Sequence, residues 1–512
     1  MSSKDILIFL SDQHAGYCAG YAGDRVVRTP NLDRLAASGT VFDSAYTSCP
    51  LCVPARMSLL SGQLPSKTGI FTNDDSLASG QATFLHSLGA AGYETVLCGR
   101  MHFVGLDQRH GFTKRIFGDT TSLYPIDRKS TVSDQGIYQK TRADFGCLQV
   151  IGGGNSTTLE YDRQVIKAAL DYLNQEHERP QCIVVGVYAP HFPYVAPPEL
   201  YQYYLDKVAY PVALSEGCNY AHPVFSHRLM DTSPETVLKA RAAYWGMVEF
   251  LDGNIGLVHH AWREYLTRNG REGIFVYLSD HGDQIGERGL YGKKTFFESS
   301  ARIPMIFSGA GIQAGLRLQS PVSIMDLGPT LCELVNAASL PPEQDGQSLA
   351  PQLVRRKEDY ERPIWSEHVE TGPGGVAVPG RMVRKGQWKY ITYADYEADD
   401  LLFDLANDPD ELKNVAGQYP EKARELRELV CEGWDVAQIL KTYAVKGQHI
   451  QLQKEWLKHT ELDQSEYWTP PLAALACPEN FYSSYQSLNE LPEPLRNIVV
   501  SRQSSNERSE SR

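Results

Sequence analysis

Short apolar runs recur along the first two thirds of the chain, and stretches with helical spacing separate them. The runs are Ile6–Leu10, Thr95–Cys98, Cys182–Tyr188, Ile274–Leu278 and Met305–Phe307. Near-continuous apolar runs mark strands buried on both faces. The helical patterns between them are Asn31–Ser38, Ala82–Ala91, Tyr161–Gln175, Pro234–Leu266 and Asp326–Val335. This alternation predicts an α/β fold: a large mixed, mostly parallel sheet sandwiched by helices.

The pattern changes near Glu361. Met382–Arg384, Trp388–Tyr393 and Leu401–Asp404 are short alternating segments with turns between them, and Pro420–Glu432 is helical. They predict a small C-terminal antiparallel sheet with a helix. The expected division is a main domain over 1–360, the small sheet over 361–440 and an extension over 441–512. The extension is polar and aromatic, and its tail, Ser501–Arg512, has the composition of a disordered segment.

The net charge of -13 argues against nucleic acid as a partner. An acidic chain that handles an anion has to gather positive charge locally, and a metal ion is the usual means. The run Ile6–Leu10 is too short for a signal-peptide core, and no segment has the apolar length of a membrane span. The ten cysteines follow no framework spacing. Together these features point to a cytoplasmic protein without structural disulfides.

Four polar clusters follow strands or open helices, where open α/β sheets place ligands. Ser11-Asp12-Gln13-His14 ends the first strand. Cys52-Val53-Pro54-Ala55-Arg56 sets a cysteine near a helix start with an arginine four residues on, which lowers a thiol's pKa. Gly99-Arg100-Met101-His102 and Ala189-Pro190-His191 put histidines just past two strands. Ser279-Asp280-His281-Gly282-Asp283 offers oxygen and nitrogen ligands, and Gly292-Lys293-Lys294-Thr295 a positive charge. Taken singly, each has an ordinary structural role: a turn aspartate, a small buried cysteine, a hydrogen-bonded histidine, a surface lysine.

Taken in this order, the clusters resemble the sulfatase family of the alkaline-phosphatase superfamily. Thr29-Pro30-Asn31-Leu32-Asp33-Arg34, the segment Cys52–Gly62, Arg302-Ile303-Pro304, Asp326-Leu327-Gly328-Pro329-Thr330 and Leu402-Phe403-Asp404 also look like family landmarks. Within the family, Gly99–Gly111, Pro50-Leu51-Cys52 and Gly286-Glu287-Arg288-Gly289-Leu290 resemble choline sulfatases. The Asp12-Gln13 and Asp280-His281 pairs are similar to phosphonate monoester hydrolases.

The resemblance implies hydrolysis of a small anionic sulfate ester (choline sulfate-like, aryl or sugar sulfate) to alcohol and sulfate. It implies that a formylglycine-generating enzyme converts Cys52 to formylglycine. One hydroxyl of the hydrated aldehyde attacks sulfur, and deprotonation of the other expels sulfate. Asp12, Gln13, Asp280 and His281, with Cys52 itself, are the implied ligands of a divalent metal: calcium first, magnesium or manganese as alternatives. Arg56 would orient the nucleophile, and Arg100 and Lys293 would contact sulfate. His102 would be the base of elimination, and His191 with Lys293 would assist the leaving alcohol. Asn73 would hydrogen-bond the substrate. A homo-oligomer is also implied. Arg100 stands where the family usually has lysine, a departure that changes reach though not charge. The alternative readings are a phosphonate monoester hydrolase or phosphodiesterase using the same formylglycine, and an inactive anion-binding protein.

Overall fold

The computed structural model describes residues 4–119, 145–148, 151–154, 156–215, 222–460 and 482–483. The tail Ser501–Arg512 and most of the extension from 461 onward lie outside these residues.

An eight-stranded sheet forms the centre. In chain order its strands are β1 (Asp5–Asp12), β2 (Thr40–Phe42), β3 (Glu94–Gly99), β4 (Lys114–Phe117), β5 (Gln181–Pro190), β6 (Gly273–Ser279), β7 (Met305–Gly309) and β8 (Leu316–Leu318). Their spatial order is β8-β2-β7-β6-β1-β5-β3-β4. All neighbouring pairs are parallel except those made by β7, which runs antiparallel to both β6 and β2. The sheet is therefore mixed and mostly parallel, as the apolar runs predict. The three-residue strands β2 and β8 and the partly exposed β4 carry no such run.

β1 shows why its run is continuous. Ile6, Ile8 and Leu10 pack toward the helices Cys52–Ser61, Phe84–Ala90 and Leu327–Leu334. Leu7 and Phe9 pack on the other face, toward Pro30–Ser38, Thr157–Leu173 and Pro234–Asn269. Both faces are covered, so neither tolerates alternation with polar residues.

The second sheet is antiparallel: β9 (Ile364–Thr371), β10 (Ala377–Lys385), β11 (Trp388–Tyr393) and β12 (Leu401–Asp404), paired in sequence order. The helix Pro420–Cys431 packs on it through Leu426 and Val430. β9 was not evident from sequence, because Glu367, His368 and Glu370 are polar yet buried. This sheet is joined to the main domain by Glu367 N–H donating to Ser48 O at 2.8 Å. Lys389 adds a buried link, pairing with Glu298 at 2.9 Å and Glu411 at 2.7 Å. The helix Val436–Leu457 follows, and its Ile439 packs with Phe71 and Val369. No helix among the described residues is long and apolar enough to cross a membrane.

Candidate active site

Strand register brings the polar clusters together. Ser11 of β1 pairs with Ser279 of β6, so Asp12 and Asp280 emerge side by side. Asp12 also pairs with Pro190 of β5, which places His191 next along the same rim. β3 meets β5 at Gly99 and Gly186, where Arg100 N–H donates to Gly186 O at 2.8 Å. The approach is so close that a Cβ on Gly186 would lie 1.9 Å from Arg100 O, so only glycine fits there.

Cys52 is the first residue of the helix Cys52–Ser61, and every residue of that helix is buried. Unpaired N–H groups and the helix dipole favour negative charge at this end. The Asn73 carboxamide oxygen caps it, accepting from Val53 N–H at 3.0 Å. Asn73 thus sits beside the nucleophile's helix, held by a contact that sequence gave no sign of.

Asp12, Cys52, Asp280 and His281 form a buried group whose ligand atoms all lie within 4.8 Å of one another. His281 Nε2 is 3.2 Å and Lys293 Nζ 2.9 Å from Cys52 Sγ, and Asp12 Oδ1 is 3.7 Å away. Arg56 is wholly buried and spans both carboxylates, with Nε 2.8 Å from Asp280 Oδ2 and Nη2 3.2 Å from Asp12 Oδ2. Four residues after Cys52, it lies on the same side of the helix. Arg100 Nε lies 2.6 Å from Asp12 Oδ2, and its guanidinium stacks 3.7 Å from the Tyr188 ring centroid. Gln13 has a left-handed φ of 70°. Its Nε2 donates to Asp283 Oδ2 at 2.7 Å, and its Oε1 is buried without a hydrogen-bond partner. Two carboxylates and an imidazole within 4.8 Å of one another are a donor set suited to a divalent cation, and the orphaned amide oxygen of Gln13 is a further candidate donor.

The two histidines beside Cys52 are held differently. Arg100 Nη2 lies 2.8 Å from His102 Nδ1. A guanidinium only donates, so Nδ1 accepts and the neutral ring carries its proton on Nε2. His191 Nδ1 lies 2.6 Å from Phe192 O, which only accepts, so this ring carries its proton on Nδ1 and leaves Nε2 as an acceptor. Asp119 fixes the His102 backbone, accepting its N–H at 2.8 Å.

Burial raises the Cys52 thiol, but the charges of Lys293 and His281 and contacts with His102 and His191 outweigh it and hold the thiol well below its ordinary value. Burial and Cys52 push the Asp12 carboxyl up, while Arg100, His191 and Lys293 pull it further down. Burial, then the Arg100 charge, lowers His102 to about 4. Burial, then Lys293, lowers His191. His281 goes the other way: burial opposes its charge, but Asp280 holds its pKa up. Its proton therefore competes with any cation for Nε2.

Of the site residues singled out from sequence, Asp12, His102, His191, His281 and Lys293 meet the Cys52 thiol, Arg56 and Arg100 stand on Asp12, Arg56 also holds Asp280, Asn73 caps the helix, and the Gln13 side chain turns to Asp283. Sequence did not reveal Asp119, Tyr188 or the buried pair Arg228–Glu370, because each acts through a partner distant along the chain.

A buried cysteine with Lys293, two arginines and three histidines gathered at the carboxyl edge of such a sheet suits a hydrolase of anionic esters. A sulfatase family model matches residues 4–337, and a model of the C-terminal region of N-sulphoglucosamine sulphohydrolase matches 286–432. The chain is 36% identical over 436 residues to a choline-sulfatase of Rhizobium meliloti, covering 80% of this chain and 82% of that one. It is 28% identical over 449 residues to arylsulfatase K of Mus musculus, covering 82% and 77%. The solved phosphonate monoester hydrolase of Silicibacter pomeroyi superposes with a TM-score of 0.68 at 22% identity, covering 84% and 95%, and shares the fold. The chain belongs to the sulfatase family and is a sulfuric ester hydrolase.

Proposed function

We propose that the protein hydrolyses a small sulfate monoester, choline sulfate-like ahead of aryl or sugar sulfates, once a formylglycine-generating enzyme has converted Cys52 to formylglycine. The observation that carries this reading is the set around Cys52 Sγ: Lys293 Nζ at 2.9 Å and His281 Nε2 at 3.2 Å, on a buried helix N-terminus. The likeness to the choline-sulfatase supports the substrate. Asp12, Asp280, His281 and the orphaned Gln13 oxygen would hold the metal, and the oxygen-rich set favours calcium over magnesium or manganese. A divalent cation bound there supplies positive charge that acidifies the nucleophile and offsets the sulfate oxygens. The converted Cys52 supplies one oxygen that bonds sulfur as the alcohol departs, and a second whose proton loss frees sulfate.

The chain's own groups divide the remaining work. Arg56 keeps Asp12 and Asp280 apart and aligned. Arg100 places a fixed charge at the sulfate end while orienting Asp12 and His102. Asn73 anchors the helix and directs its amide toward the ester. Lys293 protonates the leaving oxygen. The resemblance gives the elimination base to His102 and the leaving alcohol to His191. The two tautomers favour the reverse for the histidines: His191 Nε2 accepts the proton, and His102 donates a hydrogen bond to the sulfate end.

The eight free cysteines among the described residues support a cytoplasmic location.

The test is turnover of choline sulfate, an aryl sulfate, sulfated monosaccharides, an aryl phosphonate monoester and a phosphodiester by protein co-expressed with the maturing enzyme, with Cys52→Ala as control. Fastest sulfate release from choline sulfate, lost in the control by at least about 10³-fold, is expected. Faster turnover of the phosphonate or diester would replace the sulfate reading and keep the site.

A further inference from the structure

Lys293 reaches Cys52 from the bend that follows the two-residue strand Tyr291–Gly292, outside the main sheet. Its neighbours Gly292 and Lys294 both have left-handed backbone, with φ of 76° and 75°. A lysine in that region is strained and persists only where its surroundings impose it. Three hydrogen bonds do so. Lys294 N–H donates to Pro50 O at 3.0 Å, just before Cys52. Arg228 Nη2 donates to Lys293 O at 2.6 Å, and Arg228 Nη1 to Lys294 O at 3.3 Å.

Arg228 ends the turn Pro223–Arg228, far from this segment in the chain, and is buried. Its charge is balanced by Glu370 of β9, whose Oε2 lies 2.5 Å from Nη1. His368 of the same strand stands beside the pair, its Nε2 3.9 Å from Glu370 Oε2 and its Nδ1 3.9 Å from Cys49 Sγ. The second sheet therefore reaches the backbone of the lysine that touches the nucleophile.

We propose that Arg228, balanced by Glu370, is a positioning residue for sulfate ester hydrolysis: it fixes the carbonyls of Lys293 and Lys294 and so holds Lys293 Nζ against the nucleophile and leaving oxygen. This rests on the reading of Lys293 as the leaving-group acid. The planar guanidinium fork serves two successive carbonyls and one carboxylate together, which a lysine at 228 cannot reproduce. Lys293 itself has a long, flexible stem, so its reach depends on where the turn is anchored. A displacement of about 1 Å is enough to cost about 10²-fold in rate.

The test is a double-mutant cycle on the matured full-length enzyme, with Arg228→Ala, Lys293→Ala and the pair together. The probes are phenyl sulfate, a poor leaving group, and 4-nitrophenyl sulfate, an activated one. Arg228→Ala is expected to lower kcat on phenyl sulfate by about 10- to 100-fold, and on 4-nitrophenyl sulfate much less, with KM little changed. In the Lys293→Ala background, Arg228→Ala is expected to change kcat by less than about 2-fold, since the group it positions is gone. An equal loss with and without Lys293, or a loss indifferent to the leaving group, overturns the proposal. Should Arg228→Ala fail to fold, Arg228→Lys and Glu370→Gln carry the test. Both are expected to show the same leaving-group-dependent loss, and wild-type rates in both overturn the proposal. If Lys293→Ala alone has no effect, the reading of Lys293 falls and the clamp with it. If Lys293→Ala is impaired while Arg228→Ala is not, only the clamp falls.

Discussion

On one side of Cys52 stand Asp12, Asp280, His281 and Arg56, carried by strand ends and a helix and fully buried. On the other stand His102, His191 and Lys293, on irregular backbone within three residues of a strand end, with 3 to 6% of their surface exposed. The first group is placed by register: once β1 and β6 pair, Asp12 and Asp280 have nowhere else to go. The second leans on hydrogen bonds as well: Phe192 O holds the ring of His191, which register already sets beside Asp12, while Asp119 holds the His102 backbone and Arg228 the Lys293 carbonyl from remote segments. The difference teaches that errors on the first side fall on stability as well as rate, while errors on the second fall mainly on rate.

Four substitutions break or sharpen that contrast. The largest effect is expected from Asp12→Asn, which leaves Arg56 and Arg100 short of a buried counter-charge. It should cost about 3–5 kcal/mol of stability, because removing one partner strands the other. It should also abolish sulfate release and weaken metal binding, as followed by thermal melting and metal titration. A wild-type melting temperature would dissolve the distinction between the two sides.

His191→Ala and His102→Ala come next, each expected to slow turnover by about 10²–10⁴-fold with the fold intact. Intact-mass measurement during turnover separates them. His191→Ala is expected to accumulate sulfated enzyme and His102→Ala is not, and the opposite pattern would restore the roles implied by resemblance alone. The smallest effect is expected from Asn73→Ala. It removes the cap on Val53 N–H and should cost about 1 kcal/mol in denaturant unfolding.

Much of the frame was legible because it is apolar. β1, β5 and β6 are buried on both faces, and no other element type suits short runs of that composition. β2 and β8 were not legible: three residues carry no period, and both lie toward one edge of the sheet. β9 was hidden for a different reason. Glu367, His368 and Glu370 are polar residues in buried positions, neutralised by Arg381 and Arg228 from elsewhere in the chain. The positions of Asp12, Cys52, Asp280 and His281 were legible because each polar group interrupts or follows an apolar pattern. The tautomers of His102 and His191 were not, since they depend on which atom faces Nδ1.

β7 is the strand of the main sheet that runs against its neighbours. A parallel successor to β6 would have needed a crossover of a dozen or more residues over the face of the sheet. The chain instead leaves β6 at Ser279 and enters β7 at Met305 on the same rim. None of the segment between them is spent on travel. It carries Asp280, His281, Asp283 and Lys293, and then Glu298, which meets Lys389 of the second sheet. In terms of chain length, the stretch from Asp280 to Lys293 sets the separation of the carboxylate pair from the lysine. Insertions and deletions, which surface loops ordinarily absorb, act here as changes in the distance between the ligand pair and the lysine.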